Sequence, residues 1–345
     1  MTTAPPGLAP SAVSPWLPTA PCTPGRCAAH PGPGAPAVGP VRAAARLVAG
    51  LAVVLLGVLC APLTALVPGV ARTVLIRLWA RAVLRAFGVR LLVRGRPAPA
   101  DGPLLVVANH VSWLDIPLVA AVLPGRMLAK KEIREWPLLG GLVARGGTLF
   151  IDRDGLRALP GTVRRMAGAL SGGARVVVFP EGSTWCGRAQ GRFRPAAFQA
   201  ALDAGATVQP VRLAYTPHGP AAFVADDSLA ASLRRMARAR GLTAELTVLP
   251  PIPPSADLDR RTLARAAEHA ITGHRREPRA ARPTPRTKTP AAATVPASPP
   301  VPAPTPAPGG TAVPGRTRVP AQGGVAVASP ASASAPAAPT HLTAP

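Results

Sequence analysis

The chain has 345 residues, a formal net charge of +24, an isoelectric point near 11.9, and 46 prolines and 33 glycines gathered toward its two ends. Such a charge calls for an anionic partner, a lipid surface or a nucleic acid. Aromatic residues make up 3% and neither a zinc spacing nor a ribonucleoprotein-type aromatic motif occurs, so no specific nucleic-acid partner is expected. Cys22, Cys27, Cys60 and Cys186 include no C-x-x-C pair, and their placement indicates neither a disulfide framework nor a metal site.

Residues 1–40 are rich in Pro, Ala and Gly, lack periodicity and read as a disordered tail. From Leu47 to Ala71 runs a charge-free stretch of 25 residues, against the roughly 20 needed to cross a bilayer as a helix. It predicts a membrane-embedded segment, and Pro62 and Pro68 leave open whether this is one span or a kinked, re-entrant pair. Arg42 and Arg46 precede the run, whereas Arg72, Arg77, Arg81, Arg85 and Arg90 follow it, which puts the C-terminal side in the cytoplasm if the segment spans. Arg77, Arg81 and Arg85 recur every four residues among Val74, Leu75, Leu78, Trp79 and Phe87, the pattern of an interfacial amphipathic helix. Residues 41–88 are therefore expected to be membrane-embedded and interfacial helices.

Residues 89–277 alternate between the two periodicities. Strands are predicted at Val89–Arg94, Pro103–Ala108, Thr148–Ile151, Val176–Phe179, Thr207–Tyr215 and Leu242–Leu249, with Arg126–Lys131 extended and Trp136–Gly141 an apolar corner. Helices are predicted at Ser112–Leu123, Pro160–Leu170, Ala196–Ala204 and Ser228–Arg240, with a last one capped by Asp257 and reaching about His274. The fold class is α/β, a mixed and largely parallel sheet flanked by helices. Residues 278–345 are dominated by Pro, Ala, Thr and Ser and carry too little apolar surface to offset the entropy of ordering; they form a second disordered tail.

The chemistry centres on Asn109-His110-Val111-Ser112-Trp113-Leu114-Asp115, at the turn between the apolar run 103–108 and the helix after it. The carboxyl end of a strand is where open α/β sheets place reactive groups. Read locally, Ser112-x-x-Asp115 is equally a capping-box-like helix start, and His110 with Asp115 is equally a proton-transfer pair.

Three further stretches follow: Gly147-Thr148-Leu149-Phe150-Ile151-Asp152-Arg153, Phe179-Pro180-Glu181-Gly182-Ser183 and Val208-Gln209-Pro210-Val211. In order and spacing the four resemble the conserved blocks of the glycerolipid acyltransferases, the 1-acyl-sn-glycerol-3-phosphate acyltransferase branch above all. Lys130-Lys131-Glu132 and Trp136-Pro137-Leu138-Leu139-Gly140 resemble that branch as well. The resemblance implies a membrane-associated enzyme, its catalytic domain on the cytoplasmic side. It would transfer a fatty acyl group from acyl-CoA or acyl-carrier protein to a lysophospholipid, without an acyl-enzyme intermediate and without a cofactor or metal. It implies His110 as general base, Asp115 as its orienting partner, Arg153 as a phosphate ligand, and Glu181 and Gly182 at the acceptor site, with Asn109 and Ser183 beside them as substrate-binding residues. The chain offers no obvious G-x-S-x-G nucleophile elbow, in keeping with direct transfer. A backbone amide near the helix start is the expected oxyanion donor.

The third block departs from the common pattern, with Ser183-Thr184-Trp185 where Thr-Arg often follows the glycine. Arg188, Arg192 or Arg194 then stands in for the missing arginine, or the acceptor is another lysolipid such as lyso-ornithine lipid. A non-catalytic basic protein coating membrane or nucleic acid is the alternative of another class.

Overall fold

Five consecutive apolar residues, 104–108, make the central strand because every one of them is buried. A computed structural model of the chain describes residues 18–28, 37–97, 102–135, 139–153, 155–255 and 257–276. Its strands are β1 (Arg90–Arg94), β2 (Leu104–Ala108), β3 (Arg126–Lys130), β4 (Leu149–Ile151), β5 (Arg175–Val178), β6 (Thr207–Thr216) and β7 (Thr243–Val248). They form one sheet in the order β1-β7-β6-β2-β5-β3-β4. All neighbours are parallel except β6 and β7. The expected mixed, mostly parallel α/β fold is the one observed, and the carboxyl ends of β6, β2, β5, β3 and β4 share one edge.

The helices are α1 (Pro40–Cys60), α2 (Gly69–Ala86), α3 (Asp115–Ala120), α4 (Leu139–Arg145), α5 (Leu159–Ser171), α6 (Ala196–Asp203), α7 (His218–Ala221), α8 (Leu229–Arg238) and α9 (Arg260–Arg276). Alternate residues of β2 point to opposite faces, so one strand feeds two cores. Leu104, Val106 and Ala108 pack with Val83 and Leu84 of α2, Leu118 of α3 and Met236 of α8. Leu105 and Val107 pack with Met166 of α5, Phe198 of α6 and Leu263 of α9. Full burial of each such aliphatic side chain is worth about 1.5–3 kcal/mol.

Three expectations need correction. The helix after the first block is only Asp115–Ala120, because residues 110–114 are held in a turn by side-chain hydrogen bonds described below. The last helix is capped at Asp259, whose Oδ1 accepts from the Thr262 amide at 2.6 Å, rather than at Asp257. Residues 18–28, within the stretch expected to be disordered, are held by packing: Cys22 and Ala28 are buried against Cys186, Ala222 and Val224. Residues 136–138 of the apolar corner and residues 277–345 lie outside the described residues.

The charge-free run forms most of α1 and the turn into α2, and the two helices pair as a hairpin. Helix α1 with the turn after it, Pro40–Thr64, is long and apolar enough to cross a membrane, and only 6% of its most apolar window is buried. A 3₁₀ segment, Ala61–Leu66, breaks it next to Pro62, and α2 returns along it. Small residues allow the close approach. Gly57 lies beneath the Trp79 ring and Gly50 beneath Phe87, and the Trp79 indole donates to the Val53 carbonyl at 2.9 Å. At the other end Arg46 donates to the carbonyls of Ala237 and Ala239 at the close of α8, where a cation is favoured by the helix dipole. Both ends of the hairpin thus meet the α/β domain, and Leu51, Leu55, Leu56, Leu59, Leu63 and Leu66 remain exposed along it. Arg72, Arg81 and Arg85 are also exposed, whereas Arg77 is half-buried.

A side chain at Gly57 must displace the indole and leave the Val53 carbonyl exposed to apolar surroundings. Gly57→Leu is expected to lower the Tm in detergent by roughly 2–10 °C through overpacking and the lost hydrogen bond. An unchanged Tm contradicts this packing.

Candidate active site

The turn after β2 is organised by the Asp115 carboxylate. Its Oδ2 accepts from the Val111 amide at 2.6 Å, the Ser112 amide at 2.8 Å and His110 Nδ1 at 2.7 Å. Its Oδ1 accepts from the Tyr215 hydroxyl of β6. Asp115 is completely buried, and a charge so placed needs this number of donors to offset its desolvation. Burial, reinforced by the adjoining Asp115 carboxylate, pushes the Tyr215 hydroxyl well above its ordinary range and keeps it a donor. Histidine and aspartate five residues apart meet because the chain between them is a turn, not a helix. Asp115 caps the turn and holds the imidazole at once.

The same bonds remove expected oxyanion donors. The Val111 and Ser112 amides are engaged by Asp115, and the Leu114 amide donates to Ser112 Oγ at 3.2 Å. His110 itself keeps 18% of its side chain exposed. Phe179 stacks on its ring with centroids 4.2 Å apart at 14°, and the His110 carbonyl accepts from the Trp185 amide at 2.8 Å. A neutral imidazole that donates from Nδ1 carries its lone pair on Nε2.

Asn109 is used differently. Its Nδ2 donates to the Leu213 carbonyl at 2.9 Å and its Oδ1 accepts from the Leu213 amide at 2.8 Å, which fastens the end of β2 to β6. It also lines a cavity of about 330 Å³ with Arg188, Gln190, Arg212 and His218.

The third block leaves β5, the neighbour of β2, on the same edge. Glu181 is 3% exposed, and neither carboxylate oxygen has a hydrogen-bond partner among the described residues. Burial pushes its carboxyl up to about 9; the amides of His110 and Gly191, near it without closing a hydrogen bond, draw it partly back, while Asp115 and Glu268 add to the rise. Ser183 Oγ, Trp185 Nε1 and Gln190 Nε2 are likewise buried without partners among the described residues. Each such group costs about 1–3 kcal/mol unless a ligand or water meets it. Glu181, Trp185, Gln190, Arg192 and Arg194 wall a second cavity of about 450 Å³, closed on one side by Pro18 and Thr19. Gly182, at φ +75°, has Pro18 where a side chain would begin.

Arg153 is the expected site residue set farthest out along the edge, two strands beyond β5, while His110, Asp115, Gly182 and Ser183 also lie outside the lining of both cavities. It follows β4 on the same edge, is half-buried, and lies outside the walls of both. Burial lowers its guanidinium from the ordinary range, and the Glu132 carboxylate opposes that. Asp152 is engaged by Lys131 at 2.8 Å. Arg188 reaches the first cavity, Arg192 and Arg194 the second. Tyr215 and Phe179 were not anticipated as parts of the site. Tyr215 is the single tyrosine of the chain, and period-two alternation places it on the same face of β6 as Val211.

A family model described as Acyltransferase matches residues 90–214. Over 202 residues the chain is 41% identical to the lyso-ornithine lipid O-acyltransferase of Pseudomonas aeruginosa, covering 57% of this chain and 76% of that one. Over 136 residues it is 45% identical to the 1-acyl-sn-glycerol-3-phosphate acyltransferase of Neisseria meningitidis, covering 39% of this chain and 53% of the relative. The crystal structure of the 1-acyl-sn-glycerophosphate acyltransferase of Thermotoga maritima shares the fold, with a TM-score of 0.51 at 22% identity over 68% of this chain and 95% of that one. Fold and similarity together define an acyltransferase. The chain belongs to the glycerolipid acyltransferase family.

Glu181 supplies a pH test. Its folded pKa lies above the usual 4.5, so between pH 4.5 and about 9 the unfolded chain ionises first and stability drains as pH rises. Glutamine has no such titration. The Tm of Glu181→Gln minus that of the parent is expected to grow steadily from pH 5 to pH 9, whatever its offset at pH 5; a difference that is flat or shrinks contradicts the buried, raised carboxyl.

Proposed function

We propose that the chain is a membrane-associated O-acyltransferase that moves a fatty acyl group from acyl-CoA or acyl-carrier protein to the free hydroxyl of a lysophospholipid, 1-acyl-sn-glycerol 3-phosphate. The observation that carries this reading is the His110–Asp115 pair, fixed at 2.7 Å on the same sheet edge as the unpartnered polar wall around Glu181.

In this reading His110 is the general base. Asp115 holds the ring so that Nε2 takes the proton of the acceptor hydroxyl as its oxygen attacks the thioester carbonyl. The tetrahedral intermediate collapses, the carbon–sulfur bond breaks, and the leaving thiolate takes the proton from the imidazolium. Atoms and charge balance without an acyl-enzyme. Phe179 limits how far the ring can tilt. Glu181, kept neutral by burial, is able to donate to the acceptor, and Ser183 and Gln190 add polar partners. Arg192 and Arg194 at the cavity rim supply the cationic field that a phosphomonoester requires; Arg153 acts from the outer end of the edge.

Membrane association fits the exposed leucines of the α1–α2 hairpin, which enters and leaves on the domain side. Basic residues cluster toward the domain end of both helices, Arg42 and Arg46 in α1 and Arg81 and Arg85 in α2 with Arg90 beyond, and this bias supports a cytoplasmic catalytic side. A second acceptor, lyso-ornithine lipid, is favoured by Ser183-Thr184 in place of an arginine and by the name of the Pseudomonas aeruginosa relative.

His110→Ala is expected to abolish acyl transfer in isolated membranes while expression and membrane association persist; retained activity contradicts the mechanism. Tyr215→Phe, which strips one donor from Asp115, is expected to lower kcat about 10-fold to 100-fold with KM little changed. Turnover of lysophosphatidate against lyso-ornithine lipid decides the acceptor, and lysophosphatidate as the clearly poorer substrate overturns the first choice.

A further inference from the structure

The strap formed by residues 18–28 brings two groups to a third, and acyl transfer uses none of them. A single π-helical turn, Pro24–Ala28, follows Cys22 and includes Cys27. The third group, Cys186, lies four residues beyond Gly182. The sulfur atoms of Cys22, Cys27 and Cys186 all lie within 4.8 Å of one another. All three are free thiols, with Cys22 and Cys186 buried. Ala20, Ala28, Ala222, Val224 and Trp185 form an apolar shell around them. Gly187, at φ +81°, turns the chain so that the backbone N–H groups of Arg188 and Ala189 point at the Cys186 sulfur.

A buried cysteine needs no more explanation than any small apolar residue. Three that converge from two distant segments, one of them with two amides directed at its sulfur, form a set of soft donors whose thiolate charge, in so apolar a shell, only a bound cation would offset. Tetrahedral coordination with metal–sulfur bonds of about 2.3 Å places sulfurs about 3.8 Å apart, so this triangle closes on an ion with shifts of about 1 Å at most. A disulfide would join two of the sulfurs and strand the third in an apolar shell.

We propose that Cys22, Cys27 and Cys186 bind a thiophilic divalent cation of the Zn²⁺ class, which fastens the N-terminal strap across the Glu181 cavity. Each thiol releases its proton to solvent on binding, no electron is exchanged, and a fourth position is left for water or another ligand. The consequence is local. Pro18 rests on Gly182, and Pro18 with Thr19 walls the cavity, so the ion anchors one side of the pocket. The inference stands on the thiol geometry alone and holds whichever acceptor the pocket takes.

The test uses the full chain purified in detergent under reducing conditions. Co²⁺ titration is expected to give sulfur-to-metal charge-transfer and tetrahedral ligand-field bands saturating at about one equivalent, and zinc content by mass spectrometry is expected to match. Cys22→Ser, Cys27→Ser and Cys186→Ser should each cut uptake at least about tenfold, while Cys60→Ser in α1 should leave it intact. The first two alter only the strap, so they keep the test decisive even if Cys186→Ser fails to fold. Arg26 is exposed between the two strap cysteines, and Zn²⁺ should slow tryptic cleavage there about tenfold, reversibly with chelator. Uptake by the parent no greater than by the triple serine variant, or a disulfide between any two of these cysteines in the reduced preparation, overturns the proposal.

Discussion

The buried carboxylate of Asp115 is the constraint on which the rest of the site depends. Two of its donors are backbone amides of its own turn, one is the histidine ring, and one arrives from β6, a hundred residues later in sequence. A carboxylate with no access to water is tolerable only with its lone pairs met, so the turn, the imidazole and β6 are positioned by a single charge. Sheet register is part of this arrangement. Ala108 of β2 pairs with Val211 of β6, and Tyr215 follows four residues on. A slip of one residue would carry Tyr215 to the opposite face of the sheet and leave Asp115 short of a donor.

The two halves of the site contrast. On the β2 side every polar group named here is engaged: Asn109 on Leu213, Ser112 Oγ on the Leu114 amide, Asp115 on four donors. On the β5 side Glu181, Ser183, Trp185 and Gln190 have polar atoms without partners among the described residues. A satisfied network is rigid and an unsatisfied one calls for a ligand. The division sets a fixed His110–Asp115 pair on the same edge as a wall with unmet polar atoms, and the strap over Gly182 adds a further side of that wall.

Much of the fold was legible because its signal is local. The apolar run 104–108 needed no partner to declare itself a doubly buried strand, and Gly172-Gly173 marked the end of α5. The order of the four blocks located the site edge. What escaped depended on contacts between distant segments. The Asp115 bonds shorten α3 from its Ser112 end, which periodicity in residues 112–123 does not disclose. Arg46 reaches α8 and α2 packs back along α1, so the two helices form a hairpin with both ends at the domain, where Pro62 and Pro68 had left one span or a kinked, re-entrant pair open. Cys22 and Cys27 looked inert in a proline-rich tail because Cys186 comes to them only in the folded chain. Tyr215 is a further case: its hydroxyl acquires meaning only once β6 lies beside β2.

The most direct test of the central claim is the acyl-transfer rate of Asp115→Asn in lipid vesicles with a saturating acyl thioester and lysolipid. Asparagine preserves the size of the side chain but removes the charge, and where its amide faces His110 it favours the wrong tautomer. The account predicts a fall in kcat of about 10³-fold to 10⁴-fold with membrane association retained. Activity within about tenfold of the parent would show that the Asp115 charge does not govern His110, and would contradict the account.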